Sequence, residues 1–123
     1  MAAQKKSDIL GRWRITGMEV WDRDYIDAEV KAYLRFDPSC LGEFQFACVT
    51  GSIDYRLVER EGRPAVEWSW AGNDEMDEVS GRGWAVLDED GHLRGRIFIH
   101  DGDDSAFEAS GGFEPGKRRR QRP

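Results

Sequence analysis

The residues with the most chemical potential lie late in the chain. His100-Asp101-Gly102-Asp103-Asp104-Ser105 sets an imidazole beside three carboxylates, a combination that can act as a base or hold a metal. Its orientation has two solutions. If Leu93, Ile97 and Ile99 fill an interior, His100 stands outside with Arg94 and Arg96. If Phe98 points inward, Arg96 and His100 form an interior polar pair. Two acidic stretches, Asn73-Asp74-Glu75-Met76-Asp77-Glu78 and Asp101-x-Asp103-Asp104, offer closely spaced oxygens. Neither follows the calcium-loop pattern, and both read as solvated loops. Asp88-Glu89-Asp90-Gly91 reads as a plain hairpin turn. Ser52, Ser69, Ser80 and Ser105 lack a nucleophile-elbow context. No residue is assigned as catalytic or as a metal ligand, and no cofactor is expected.

The second candidate set is aromatic. Trp13, Trp21, Trp68, Trp70 and Trp84, with Phe44, Phe46 and Phe98, are many for 123 residues. Each hides about 150–250 Å² when buried, so a handful can build most of a small core. The same rings can instead line an apolar cavity. Trp68 and Trp70, two residues apart on a strand, would point the same way. On the cavity reading the binding residues are Trp68, Trp70, Trp84, Phe44 and Phe46. Glu75, folded over the mouth, joins Arg96 and His100 as a polar anchor.

These residues need strands to position them, and strands are what the pattern predicts. Period-2 alternation recurs between turn signals about every dozen residues. The first strand spans roughly Leu10 to Trp21, with a change of inward parity at Gly17 that calls for a β-bulge. Asp22 to Val30 is the one helical candidate, with acids early and Lys31 after it. Strands follow over Ala32–Phe36, Gly42–Val49 and Ser52–Arg60, with Gly51 as a break. A further strand contains Val66, Trp68 and Trp70, and Gly72 to Ser80 interrupts. Gly81–Asp88, Leu93–His100 and Ser105–Ala109 complete the set. The expected fold is mainly β: about eight antiparallel strands in an up-and-down barrel or half-barrel, with one short helix after the first strand. An incompletely closed sheet would leave edges that a homodimer could cover.

Length allows one domain, expected over residues 9–110, between a flexible N-terminus (1–8) and a disordered basic tail (111–123). The composition, 39% hydrophobic and 34% charged, is too apolar for disorder and too polar for a membrane span. Met1–Asp8 has no apolar h-region, so no signal peptide is expected and the cytoplasm is the expected compartment. Cys40 and Cys48 read as free, mostly buried thiols. The net charge of −6 conceals a division, because Lys117-Arg118-Arg119-Arg120-Gln121-Arg122 holds five basic residues. The acidic remainder repels phosphate, so nucleic acid is expected only through the tail.

Gly11-Arg12-Trp13 on the first strand resembles the opening of the lipocalins and their calycin relatives. That resemblance implies an eight-stranded barrel with Trp13 plugging one end, Arg94 or Arg96 packed over it, and a ligand cavity at the other mouth. Trp21-Asp22, Gly81-Arg82-Gly83-Trp84 and His100-x-Gly102-Asp103-Asp104-Ser105 are also similar to small uncharacterised bacterial proteins, which implies no activity. Three functions follow. The first is a non-enzymatic barrel holding a small apolar or amphipathic molecule. The second is a protein-interaction module with an acidic surface and a packed interior. The third is an enzyme using His100 with a neighbouring carboxylate.

Overall fold

Alternating side chains carry the chain around a single antiparallel sheet that closes on itself. The structure, a computed structural model, describes residues 4–111. Eight strands follow in chain order: β1 (Gly11–Met18), β2 (Tyr33–Phe36), β3 (Leu41–Phe46), β4 (Val49–Arg60), β5 (Arg63–Asp74), β6 (Asp77–Leu87), β7 (His92–Ile99) and β8 (Asp104–Gly111). Each pairs with the next, and β8 pairs with β1 to make a closed barrel. Closure leaves no strand edge for a second copy to cover. The basic tail lies outside the described residues.

In an up-and-down barrel, alternate connections share an end. The β1–β2, β3–β4, β5–β6 and β7–β8 connections form one end, here called the head. The N-terminal segment and the remaining connections form the foot. At the foot, Lys6–Ile9 form a 3-10 turn rather than a loose terminus, with Ile9 fully buried. Trp13 is buried near this end, its indole N–H donating to the Ile9 carbonyl at 2.8 Å.

The predicted bulge is present. The β1–β8 register shifts between Ile15 and Gly17, which passes the inward parity from Trp13 and Ile15 to Met18. The helix is much shorter than the acids suggested: α1 covers only Arg23–Ile26, N-capped by Asp22. Its extension fails because Asp27 turns to other partners. One of its oxygens accepts the Ala32 N–H at 2.9 Å, and both receive Arg14 at 2.7 and 2.8 Å.

Four strand boundaries also move. β3 ends at Phe46, and the chain turns at Ala47-Cys48, where Ala47 takes φ 52°. Cys48 therefore sits in a turn, and Cys40 is exposed rather than buried. Gly51 is no break but a mid-strand residue of β4, and β5 and β6 continue through the polar stretch to a Glu75-Met76 turn. Those outer ladder positions are exposed on both faces, so polar residues extend the strands without a burial cost.

Candidate functional site

The barrel interior is built from the inward parity of every strand. Val66, Trp68 and Trp70 of β5 point in, as the alternation predicts, and so do Phe44 and Phe46 of β3. The rings interlock in two tiers. Toward the head, Trp21 lies 5.2 Å from Phe46, Phe46 5.9 Å from Phe44, and Phe44 4.9 Å from Trp70. Below them, Phe36 contacts both Tyr55 at 5.1 Å and Trp68 at 5.6 Å, and Trp68 reaches Phe107 at 6.3 Å.

Inward glycines make this filling possible. A Cβ on Gly83 would fall 2.3 Å from the Trp68 indole, and one on Gly51 would fall 2.5 Å from Phe44. The rings thus occupy the volume that larger residues on the facing strands would need. Phe36, Phe44 and Phe46 are at most 1% exposed, and Trp68 and Trp70 are 4% exposed. Of the two indole N–H groups inside, that of Trp70 reaches the Phe98 carbonyl at 3.2 Å, but that of Trp68 has no partner among the described residues.

The polar anchors are elsewhere. Arg94 and Arg96 project from the outer wall, not over Trp13. Arg94 pairs with Asp88 at 2.6 Å and with Glu108 at 3.2 Å; Arg96 pairs with Asp104 and with Glu19 at 3.2 Å. The hydrogen bond from Arg94 holds the Asp88 carboxyl below the usual aspartate range. Trp84 is also on the outer wall, under the Arg60 guanidinium at 4.1 Å. Trp84, Arg94 and Arg96, with Val86, Ala106 and Glu61, border an open groove of about 840 Å³. His100 follows β7 at the head, exposed, with Nδ1 3.3 Å from the Ser80 hydroxyl. No carboxylate hydrogen-bonds to it among the described residues. Glu75 is exposed in the β5–β6 turn beside Cys48, 3.6 Å from its sulfur. Burial first, then the Glu75 charge, pushes the Cys48 thiol up.

The eight residues singled out in sequence therefore divide: four lie inside, two on the wall and two at the head. Two features escaped the sequence reading. Asp88, Asp90 and His92 bring potential ligand atoms within 4.8 Å of one another. Asp88 is already engaged there, accepting the N–H groups of Asp90 and His92 and the Arg94 side chain. The arrangement caps a turn.

The second feature is the head itself. Topology gathers three acidic connections there: Glu19, Asp22, Asp24, Asp27 and Glu29 before β2; Asp74, Glu75, Asp77 and Glu78 around the β5–β6 turn; and Asp101 and Asp103 before β8 with Asp104 at its start. Arg23 and Lys31 are the basic residues in these connections. The same end carries Met76 at 95% exposure, Tyr25 at 52%, Val20 at 45% and Val30 at 42%. Among the described residues at the foot, only Leu41, at 55%, is a comparably exposed large apolar side chain. The β1–β2 connection is fixed over the interior by buried Ile26, whose carbonyl accepts the Ala47 N–H at 2.8 Å, and by the Arg14–Asp27 pair. That pair, chiefly through the Arg14 hydrogen bond, lowers the Asp27 pKa to about 2.

The class these features define is a closed eight-stranded antiparallel barrel with an aromatic-filled interior and one acidic, apolar-studded end. The chain matches no family model, no curated protein and no solved structure. No helix among the described residues is long and apolar enough to cross a membrane.

Proposed function

We propose that the protein is a non-enzymatic interaction module that meets a basic polypeptide at the acidic head of its barrel, the interior serving as scaffold. The observation that carries this reading is that, among the described residues, four of the five exposed large apolar side chains stand among the acidic connections of one end. Carboxylates supply long-range attraction and orientation, while apolar side chains supply contact area that salt does not screen.

A defined basic amphipathic peptide, followed by fluorescence anisotropy, tests it. Binding should weaken as salt rises. It should also weaken at least about tenfold when Asp74→Asn, Glu75→Gln, Met76→Ala, Asp77→Asn and Glu78→Gln are combined, a loss of about 1.4 kcal/mol. Unchanged affinity in that variant would refute the reading.

A second reading keeps the calycin-like expectation of a small apolar or amphipathic ligand inside the barrel. The unpartnered Trp68 N–H favours it, because a buried donor without an acceptor costs about 1–3 kcal/mol that a ligand oxygen would recover. Titration of the intrinsic tryptophan fluorescence with fatty acids, haem and aromatic metabolites separates the two. A saturating one-to-one change that Trp68→Phe abolishes supports the interior site; no change with any of them removes it.

A further inference from the structure

The chain carries its own basic segment, and the barrel sets that segment's origin at the foot, far from the acidic β5–β6 turn of the same molecule. β8 runs from Asp104 at the head to Gly111 at the foot, where Gly111 pairs with Trp13. Seven strand steps raise the chain by about 23 Å. The basic run Lys117–Arg122 begins six residues beyond Gly111, a reach of at most about 20 Å for a fully extended chain. Through Arg122, eleven residues on, the reach grows to about 36 Å. The β5–β6 turn stands farther out than the start of β8: Arg82 is level with Phe98 and Asp104, and Asp77 lies five residues beyond it, so the turn is about 39 Å from Gly111 along the strands. The basic run therefore meets its own β5–β6 acids only when nearly fully extended. A second molecule imposes no such limit.

Charge points the same way. Residues 112–123 contain five basic residues and one acid, a net of +4. The foot that they leave sets six acids, Asp8, Asp37, Glu61, Asp88, Glu89 and Asp90, against Lys5, Lys6, Arg60 and Arg63, so its net attraction is far smaller than that of the head. The head offers three acidic connections against Arg23 and Lys31. Several of those carboxylates, among them Asp74, Asp77 and Asp101, make no ion pair with another described residue.

We propose that the partner of the acidic head is the basic segment 117–122 of a second copy of this chain, giving head-to-tail association. This rests on the reading of the head as a polypeptide-binding surface. Such a contact is heterologous: each molecule offers one head and one tail, so the assembly grows with concentration instead of stopping at a symmetric dimer. The contact is dominated by exposed charge, so it is weak, reversible and salt-dependent.

The test uses the full chain in sedimentation velocity at low salt. A tail variant replaces Lys117, Arg118, Arg119, Arg120 and Arg122 with Gln. A head variant carries Asp74→Asn, Glu75→Gln, Asp77→Asn and Glu78→Gln. The unmodified chain should show a weight-average sedimentation coefficient that rises with concentration and returns to the monomer value in about 0.5 M salt. Each variant alone should stay monomeric. An equimolar mixture of the two should restore one contact and stop at a dimer. A monomeric wild type at low salt overturns the proposal, as does association that survives in either variant.

A labelled peptide of residues 112–123 then separates this failure from failure of the broader reading. If it does not bind the head but the unrelated basic amphipathic peptide does, the head still binds polypeptides and the second copy is not its partner. If neither binds, both readings fall.

Discussion

Replacing Asp27 with Asn isolates the contact that fixes the β1–β2 connection over the barrel. Asp27 is hydrogen-bonded by both terminal nitrogens of Arg14 and by the Ala32 N–H, with the two side chains only 12% and 21% exposed. The Arg14 hydrogen bond is the main reason its pKa drops from the ordinary 3.8 to about 2. A fall of that size sets a ceiling of about 2.5 kcal/mol on the linked stability. Partial exposure screens the pair, so about 1–2 kcal/mol is expected.

The folded pKa is depressed, so this stability is fully present above about pH 4 and fades as pH falls through about 2. Urea unfolding from pH 7 to pH 2 should show Asp27→Asn less stable by about 1–2 kcal/mol at neutral pH. The midpoint temperature should be about 4–8 °C lower. The gap should mostly close by pH 2, where the folded wild-type carboxyl is itself about half protonated. Other paired carboxylates titrate too, but equally in both proteins, so the difference reports Asp27 alone. Hydrogen exchange at the Ala47 N–H, which donates to Ile26, should quicken in the variant at pH 7. A gap that stays constant with pH would show that packing, not the ion pair, holds the connection, and would refute the reasoning.

Gly83→Ala should destabilise the barrel by about 1–3 kcal/mol, because its Cβ would fall 2.3 Å from the Trp68 indole and force the ring to move; chemical denaturation measures the loss, and near-ultraviolet circular dichroism should show a changed tryptophan signal. Of the two free thiols, exposed Cys40 should react with a disulfide reagent at pH 8 well before Cys48, whose thiol is pushed up by burial and by Glu75. Glu75→Gln should narrow that difference, as read by mass spectrometry of each labelled cysteine.

The sequence made the core readable wherever one parity was plainly apolar. Val66, Trp68 and Trp70 alternate with Glu67 and Ser69, and all three point inward. In β7 both parities carry apolar residues, Leu93, Ile97 and Ile99 against Phe98, and local pattern cannot rank them. What decides the matter is long-range. The acids that hold Arg94 and Arg96 on the outer wall come from the β6–β7 turn, from β8 with its flanking residues, and from the end of β1. Helix length was misread for a similar reason: Asp27 resembles a first-turn acid until Arg14, thirteen residues earlier, is brought beside it. The acidic head needed no such distant information. Strand order alone places the β1–β2, β5–β6 and β7–β8 connections at one end, so acidic loops read one by one as solubility features converge on a single surface.

The balance between an interior and an exterior function turns on what would have to move. A drug-sized guest needs a few hundred Å³, and the space behind Trp68 and Trp70 is taken by Phe36, Phe44, Phe46 and Phe107 at ring-contact distances. Losing the packing of one buried aromatic costs about 3–5 kcal/mol, so displacing two costs about 6–10 kcal/mol. Micromolar binding yields only about 8 kcal/mol, so a guest would need exceptional contacts to show any net affinity. Its one evident polar reward, the Trp68 N–H, offsets a fraction of that cost. The head demands no such rearrangement: Met76 and Tyr25 are already in water, and their acidic neighbours are already on the surface. A barrel with glycines placed to receive indoles is full, and this is why the proposed binding falls at the end where charge and exposed apolar surface coincide.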